Sequence, residues 1–333
     1  MIEFENTFIR GISTCVPSKE TTVDTNFLKK SKKEIENIIK TTGIKKLRMV
    51  NKEINSSDLC IESSESLFHF LDFDRIEIDA LIFVSQTRDY IMPQTSNLIR
   101  RKLNLRKDVI CYDLPLGCTG FVQGLFQAKV LLQNKKINNV LLLCGDTITK
   151  YINNDDHSTR SVFGDASSSS IISFSEKTEK SFFDIQTVDD NHSCLIMNKI
   201  KHGDTVFNSR NLSMDGFEVF KFVIKYVPKS ILSNLKYIGI TIDELENVIF
   251  HQANKFIVET LNKKIKIEPN KSPVVLDSFG NTGSCSIPLV ITEKMVNSKK
   301  CFMSSFGVGL SYANCFVDLS SSKILKTKYS KNG

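Results

Sequence analysis

The chain has 333 residues, 41% hydrophobic and 24% charged, with 15 Gly, 7 Pro, 23 Phe and no Trp. That balance excludes collagen-like, disordered and disulfide-scaffold classes, and the length implies two domains or two fused halves. The net charge is +7, of which Lys323, Lys326, Lys328 and Lys331 supply four units; the +3 of the remainder suits an acidic partner without requiring nucleic acid.

No apolar run approaches the ~20 residues of a membrane helix; residues 140–144 are among the longest. The first six residues lack the basic start and apolar stretch of a signal peptide, so a cytoplasmic protein without a membrane span is expected. Nine cysteines, at 15, 60, 111, 118, 144, 194, 285, 301 and 315, are odd in number and contain no Cys-x-x-Cys pair. They speak against a disulfide framework and against a metal site, and leave small buried hydrophobes with room for one nucleophile.

In chain order, residues 79–86 read as an apolar strand ending in polar residues, and residues 109–114 as a second. After Cys118 and Thr119, the residues Phe121, Val122, Leu125, Phe126 and Val130 recur at helical spacing. Residues 140–145 form a third strand. The polar run 175–180 is the natural seam between halves, and residues 187–213 read as irregular surface excursions. Phe217, Phe220 and residues 223–227 mark a helix followed by Pro228; residues 248–251 form a strand, and residues 256–264 the helix after it.

The second set of elements echoes the first. Phe83 pairs with Phe250, Asp113 with Asp277, Thr119-Gly120 with Thr282-Gly283, and Gly145 with Gly307, at offsets of 162 to 167 residues. Landmarks at one offset in a chain twice that long imply two copies of one βαβ-rich unit, residues 1–174 and 175–319. Residues 320–333 are expected to be a disordered basic tail.

Three chemically useful residues fall at equivalent strand ends of the two copies. Cys118 sits where a buried strand meets a helix start, whose free N–H groups are expected to favour thiolate. Gly117 and Gly120 beside it leave room for a substrate. His251 emerges from its strand tip, and Asn281 lies 163 residues after Cys118, in a Gly-Asn-Thr-Gly turn. Each alone has a structural reading: a core cysteine, a capped histidine, ordinary turn chemistry. Together they point to one shared pocket.

With these residues assembled, the chain resembles the ketoacyl-ACP synthase III family of the thiolase superfamily over residues 5–319. The matches are Gly43-Ile44, residues 113–121, Phe163-Gly164-Asp165, residues 214–221, His251 through Asn254, Gly280-Asn281-Thr282 and Phe306 through Gly309. The resemblance implies the five-layered αβαβα thiolase fold, built from two duplicated halves, and a homodimer. It implies that Cys118 takes an acyl group from a thioester while its own N–H and that of Val308 hold the oxyanion. His251 and Asn281 would then donate to the carbonyl of a malonyl thioester on acyl carrier protein as CO2 leaves. No metal or redox cofactor is implied; acyl-CoA or acyl-ACP and malonyl-ACP are the substrates.

By the same resemblance, Asn37 and Thr41 stand where the family places Trp and Arg against coenzyme A, and His157 where it places another Arg. Met92 borders the partner's acyl pocket, and Phe163 and Asn254 contact substrate. Lys221, Lys263 and Lys264 match carrier-docking positions; a fourth, usually Arg, falls on Phe256, with Lys255 beside it. The missing stacking face implies weak coenzyme A binding or a carrier-borne primer. Two alternatives stay open: a non-condensing acyltransferase delivering to an alcohol or amine such as an amino sugar, and a catalytically silent partner subunit.

Overall fold

Strands that are apolar at every position need cover on both faces. The computed structural model describes residues 1–176, 180–188, 191–197 and 211–330, and supplies that cover. In Ala80–Val84, the side chains of Ala80, Ile82 and Val84 enter one core and those of Leu81 and Phe83 another, as the two-residue period of a strand requires. In the second sheet, Ile249, Cys301 and Met303 face the inner core, while Val248, Phe250, Phe302 and Phe306 face an outer one. The inner core is common to both sheets and holds the helices Gly120–Leu131 and Ser286–Lys294. Helices Ser56–Leu71 and Thr95–Lys102 cover the outside of the first sheet, and Gly216–Ile238 and Lys255–Ile265 the outside of the second. The result is helix, sheet, helix, sheet, helix: the αβαβα architecture.

Sheet order repeats as well. The first sheet runs Thr7–Pro17, Ala166–Phe174, Asn139–Asp146, Ala80–Val84, with two antiparallel contacts and then a parallel one. Ser181–Thr187, Ser311–Val317, Cys301–Gly307 and Asn247–Phe250 follow the same order and senses. One expected pair fails. Ile110–Leu114 adds a parallel edge strand to the first sheet, but its counterpart contains the short helix Leu276–Phe279. There the Val275 N–H donates to Gln252 Oε1 at 3.3 Å and has no strand neighbour.

The halves also exchange their ends. Ile2–Phe4 joins the second sheet through Ser181–Thr187. The tail expected to be disordered instead places Lys323–Ile324 and Lys328–Ser330 parallel to Thr7–Pro17 in the first sheet. Its ordering has a buried cause: Thr327 Oγ1 lies 2.9 Å from Thr14 Oγ1 and 3.0 Å from Thr292 Oγ1, and Ser330 Oγ donates to Glu62 at 2.6 Å. Lys331 and residues 177–179 of the expected seam lie outside the described residues.

Pro228 does not end its helix, which runs through Gly216–Ile238. A proline inside a helix costs about 3 kcal/mol. Val223, Val227, Ile231 and Leu235, all buried on one face, contribute about 1.5–3 kcal/mol each. Burial wins. Within the segment read as surface excursions, Leu195–Met197 and Leu212–Met214 pair antiparallel, and Leu195 is buried; residues 189–190 and 198–210 lie outside the described residues. Among the described residues, no helix is long and apolar enough to cross a membrane.

Candidate active site

Cys118 occupies the connection between Ile110–Leu114 and Gly120–Leu131, where the Gly120 N–H donates to Gly117 O at 2.7 Å. Glycine is required at 120, because a Cβ would stand 2.6 Å from Val84 Cγ1 and 3.1 Å from Ser284 Cβ. The helix starts against both halves at once. The thiol does not have the expected thiolate bias: burial pushes it up to about 11. The helix end contributes only about 0.3–1 kcal/mol, too little to offset desolvation. The backbone N–H groups of Val308 and of Cys118 itself hydrogen-bond the sulfur and pull the other way, while the charge of Asp146 adds to the rise.

Gly307 brings the Val308 amide close. It has φ +154°, and a Cβ there would lie 2.8 Å from both Cβ and Sγ of Cys118. The two donors implied for an oxyanion therefore converge on Cys118 from opposite halves of the chain.

His251 follows the strand Asn247–Phe250, and its N–H donates to Ser304 O at 2.9 Å. The ring is 1% exposed, edge-on to Phe306 with centroids 5.6 Å apart, and its Nδ1 lies 2.6 Å from Ser286 Oγ. Burial lowers its pKa to about 3, so the imidazole is neutral. A neutral imidazole carries one N–H. If the Ser286 hydroxyl donates to Nδ1, that proton sits on Nε2.

Asn281 is pinned from three sides. Its N–H donates to Val162 O at 2.8 Å, its carbonyl accepts from the Gly164 N–H at 3.0 Å, and its Oδ1 accepts from the Gly283 N–H at 3.0 Å. With Oδ1 engaged, the Nδ2 donor is the end of the amide left for a ligand. Cys118, His251 and Asn281 line one cavity of about 50 Å³, together with Phe163, Asn254 and Gly307. A second cavity of about 60 Å³ adjoins it at Cys118, Phe163 and Leu195; Ile148, Met197 and Leu212 make it mostly apolar.

The other expected contacts divide. Phe163 and Asn254 line the cavity, but Asn254 Oδ1 is already taken as the cap of Lys255–Ile265, accepting from the Ile257 N–H at 2.8 Å. Asn37 and Thr41 are exposed on the helix Lys32–Thr42, and His157 is half-buried at the start of His157–Arg160; none of the three lines either cavity. Met92 is 84% exposed and touches neither cavity. Lys221, Lys255, Lys263 and Lys264 are all exposed. Lys221 pairs with Glu218 at 2.8 Å and Lys255 with Glu259 at 3.6 Å. Phe256, 49% exposed, stacks on Phe220 with centroids 5.2 Å apart.

Two residues that sequence reasoning missed belong to the site. Ser286 orients His251, and Asp146 lines the apolar cavity beside Cys118. The repeat held a signal for Asp146, since it follows Gly145, the counterpart of Gly307. Among the described residues, no three His, Cys, Asp or Glu side chains gather as metal ligands.

Two family models match this chain. One, described as 3-oxoacyl-[acyl-carrier-protein (ACP)] synthase III, covers residues 112–191, and the C-terminal model of the same name covers residues 235–319. The crystal structure of a 3-oxoacyl-(acyl-carrier protein) synthase from Burkholderia xenovorans LB400 is 30% identical, covers 99% of this chain and 98% of its own, and superposes with a TM-score of 0.93. The beta-ketoacyl-[acyl-carrier-protein] synthase III of Fusobacterium nucleatum is 29% identical over 332 residues, 93% of this chain and 97% of that protein. Its namesake from Staphylococcus haemolyticus is 29% identical over 315 residues, 92% and 97% of the two chains.

Proposed function

We propose, because the chain belongs to the 3-oxoacyl-[acyl-carrier-protein] synthase III family and is therefore an acyltransferase of the condensing type, that Cys118, His251 and Asn281 carry its reaction. The observation that supports this is their meeting on one cavity from three separate connections of the fold.

In the first stage, Cys118 sulfur bonds to the carbonyl carbon of an acyl thioester, and the thiol proton leaves with the departing thiol. The N–H groups of Cys118 and Val308 face the developing oxyanion. In the second, the malonyl thioester of an acyl carrier protein places its carbonyl oxygen between His251 Nε2–H and Asn281 Nδ2–H. Loss of CO2 leaves an enolate held by these two donors. Its carbon attacks the acyl-Cys118 carbonyl and expels the Cys118 thiolate, which takes up a proton as 3-oxoacyl carrier protein departs. The scheme calls for no metal or redox cofactor, since N–H donors meet each developing charge. The small apolar cavity beside Cys118 favours a short primer.

Lys221, Lys255, Lys263 and Lys264 would receive the acidic carrier, and Asn37, Thr41 and His157, lacking an indole and a guanidinium, would hold coenzyme A weakly. The chain would act as a homodimer in the cytoplasm, in fatty acid or specialised acyl synthesis. The dimer is supported by the exposed Ile91 and Met92 and the open edge of Ile110–Leu114. Free cysteines at all nine positions fit a reducing compartment. The test is CO2 release from malonyl carrier protein. Asn281→Ala should lower it 10²–10³-fold, the loss of one oxyanion-type donor. Unchanged release would sink the reading, as would an intact enzyme that never releases CO2.

A further inference from the structure

Asp146 ends the strand Asn139–Asp146, is 3% exposed, and lines the cavity beside Cys118. Its Oδ1 accepts from Ser85 Oγ at 3.2 Å, from the Gln86 N–H at 2.8 Å, and from the Thr87 N–H and Oγ1, each at 3.1 Å. Its Oδ2 accepts from Ser284 Oγ at 3.0 Å. These partners lie on the loop that packs against the Cys118 connection and on the turn that carries Asn281. Gln86 presses on the nucleophile loop, where a Cβ on Gly117 would stand 2.3 Å from its Oε1. Ser284 follows Gly283, whose N–H holds the Asn281 side chain. The duplication sharpens this placement. Since Gly145 is the counterpart of Gly307, Asp146 is the counterpart of Val308, and Cys118 that of Asn281. Val308, from the second half, meets the Cys118 loop, and Asp146, from the first half, meets the Asn281 turn.

We propose that Asp146 is a positioning residue: its carboxylate clamps the Gln86 loop to the Asn281 turn and sets the amide of Asn281 against Cys118 for decarboxylation. This rests on the roles assigned above to Cys118 and Asn281. An ionised carboxylate suits the task because both of its oxygens only accept, and every partner donates. The clamp is consequently sensitive to acid. Burial raises this carboxyl to about 6 despite its five donors. The titratable groups that feel its charge are the thiols of Cys118, Cys144, Cys60 and Cys285, all pushed upward by burial and protonated at neutral pH. Protonation of Asp146 near pH 6 turns one acceptor oxygen into a donor and loosens one loop.

The experiment measures CO2 release from malonyl carrier protein against pH with the full-length wild type, Asp146→Asn, Ser284→Ala and Asn281→Ala. The wild type should lose kcat on the acid side with a midpoint near pH 6. Asp146→Asn should cut kcat 10- to 100-fold, leave KM within twofold and abolish that acid limb. Ser284→Ala removes one donor to the charged form, so it should lower kcat 3- to 10-fold and move the limb upward in pH. An Asp146→Asn enzyme with wild-type kcat, or one that keeps the limb, overturns the proposal. Should Asp146→Asn fail to fold, Ser284→Ala with wild-type kcat and an unmoved limb overturns it equally. If Asn281→Ala still releases CO2, the assigned site itself is wrong; if Asn281→Ala is dead while the other two behave as wild type, only the clamp is.

Discussion

Replacing Ser286 by Ala tests the decarboxylation site through a residue that touches no substrate. Ser286 is the first residue of the helix Ser286–Lys294, and its hydroxyl contacts His251 Nδ1 at 2.6 Å. Both side chains are 1% exposed, so no bulk water replaces the bond. Leaving a buried Nδ1 unpaired costs about 1–3 kcal/mol. The imidazole then loses its reason to keep the proton on Nε2. If the Nε2–H donor is lost altogether, the barrier to decarboxylation rises by the full worth of one oxyanion-type donor, about 2.7–4 kcal/mol.

The expected fall in CO2 release therefore lies between about 5-fold and 900-fold, at 1.36 kcal/mol per decade. On the proposed scheme acylation of Cys118 uses the N–H groups of Cys118 and Val308, so it should stay within twofold of wild type by intact-mass spectrometry. Ser286→Thr restores the hydroxyl and should recover most of the lost rate. Nitrogen chemical shifts of His251 should report Nε2–H in the wild type and a changed tautomer ratio in Ser286→Ala. The reasoning is refuted if Ser286→Ala releases CO2 at the wild-type rate, or if acylation falls in parallel with decarboxylation.

Gly307→Ala places a methyl group 2.8 Å from Cys118 Cβ and Sγ; because misplacing a reacting group by 1 Å can cost about 100-fold, thiol acylation should fall by that order, read by intact mass. Thr327→Val removes the hydroxyl contacts to Thr14 and Thr292 beneath the C-terminal strands, and should lower stability by about 1–3 kcal/mol, seen as a lower urea midpoint at unchanged slope. Acidification sets buried groups against one another. His251 is held neutral down to about 3 in the folded state, so its contribution, complete above pH 6.5, drains as pH falls, by about 2 kcal/mol at pH 5. Asp146 and Asp165, both raised to about 6, favour the folded state as pH falls, by about 1.4 kcal/mol each at pH 5. The carboxyl gain slightly exceeds the histidine loss, so the thermal midpoint should stay level or rise slightly from pH 7 to 5; a steady decline from pH 7 would contradict the buried carboxylates.

What the sequence made legible was chemistry repeated at strand ends. Cys118, His251 and Asn281 stood out because each follows an apolar run in the sequence, although the run before Asn281 folds as the short helix Leu276–Phe279. The strands themselves were legible through runs such as Ala80–Val84, whose every residue is buried. Ser286 was hidden because its partner lies 35 residues away in another element, and a serine at a helix start has an ordinary local reading. The basic tail read as solvated because its lysines are conspicuous, while Thr14, Thr292 and Thr327, which bury its inner side, are separated along the chain by up to 313 residues. The thiol pKa was misjudged for a related reason: a helix terminus is visible in a sequence, and the depth at which a sulfur sits is not.

Duplication also places different chemistry at the two equivalent strand ends beside this site, a backbone donor at one and an acceptor at the other. At the Cys118 side, the opposing strand end supplies Val308, whose backbone N–H is turned toward the sulfur and whose apolar side chain competes for no donor. At the Asn281 side, the equivalent strand end supplies Asp146, an acceptor that engages the local N–H groups of Gln86 and Thr87. Those backbone donors are thereby occupied, and on the proposed scheme the anion on this side is met by the side chains of His251 and Asn281. The same fold element thus supplies a donor in one copy and an acceptor in the other. Exchanging these two residue types would be expected to cost both stages: a carboxylate at 308 would repel the acyl oxyanion, and valine at 146 would leave the Gln86, Thr87 and Ser284 donors unpaired in a buried site, at about 1–3 kcal/mol each.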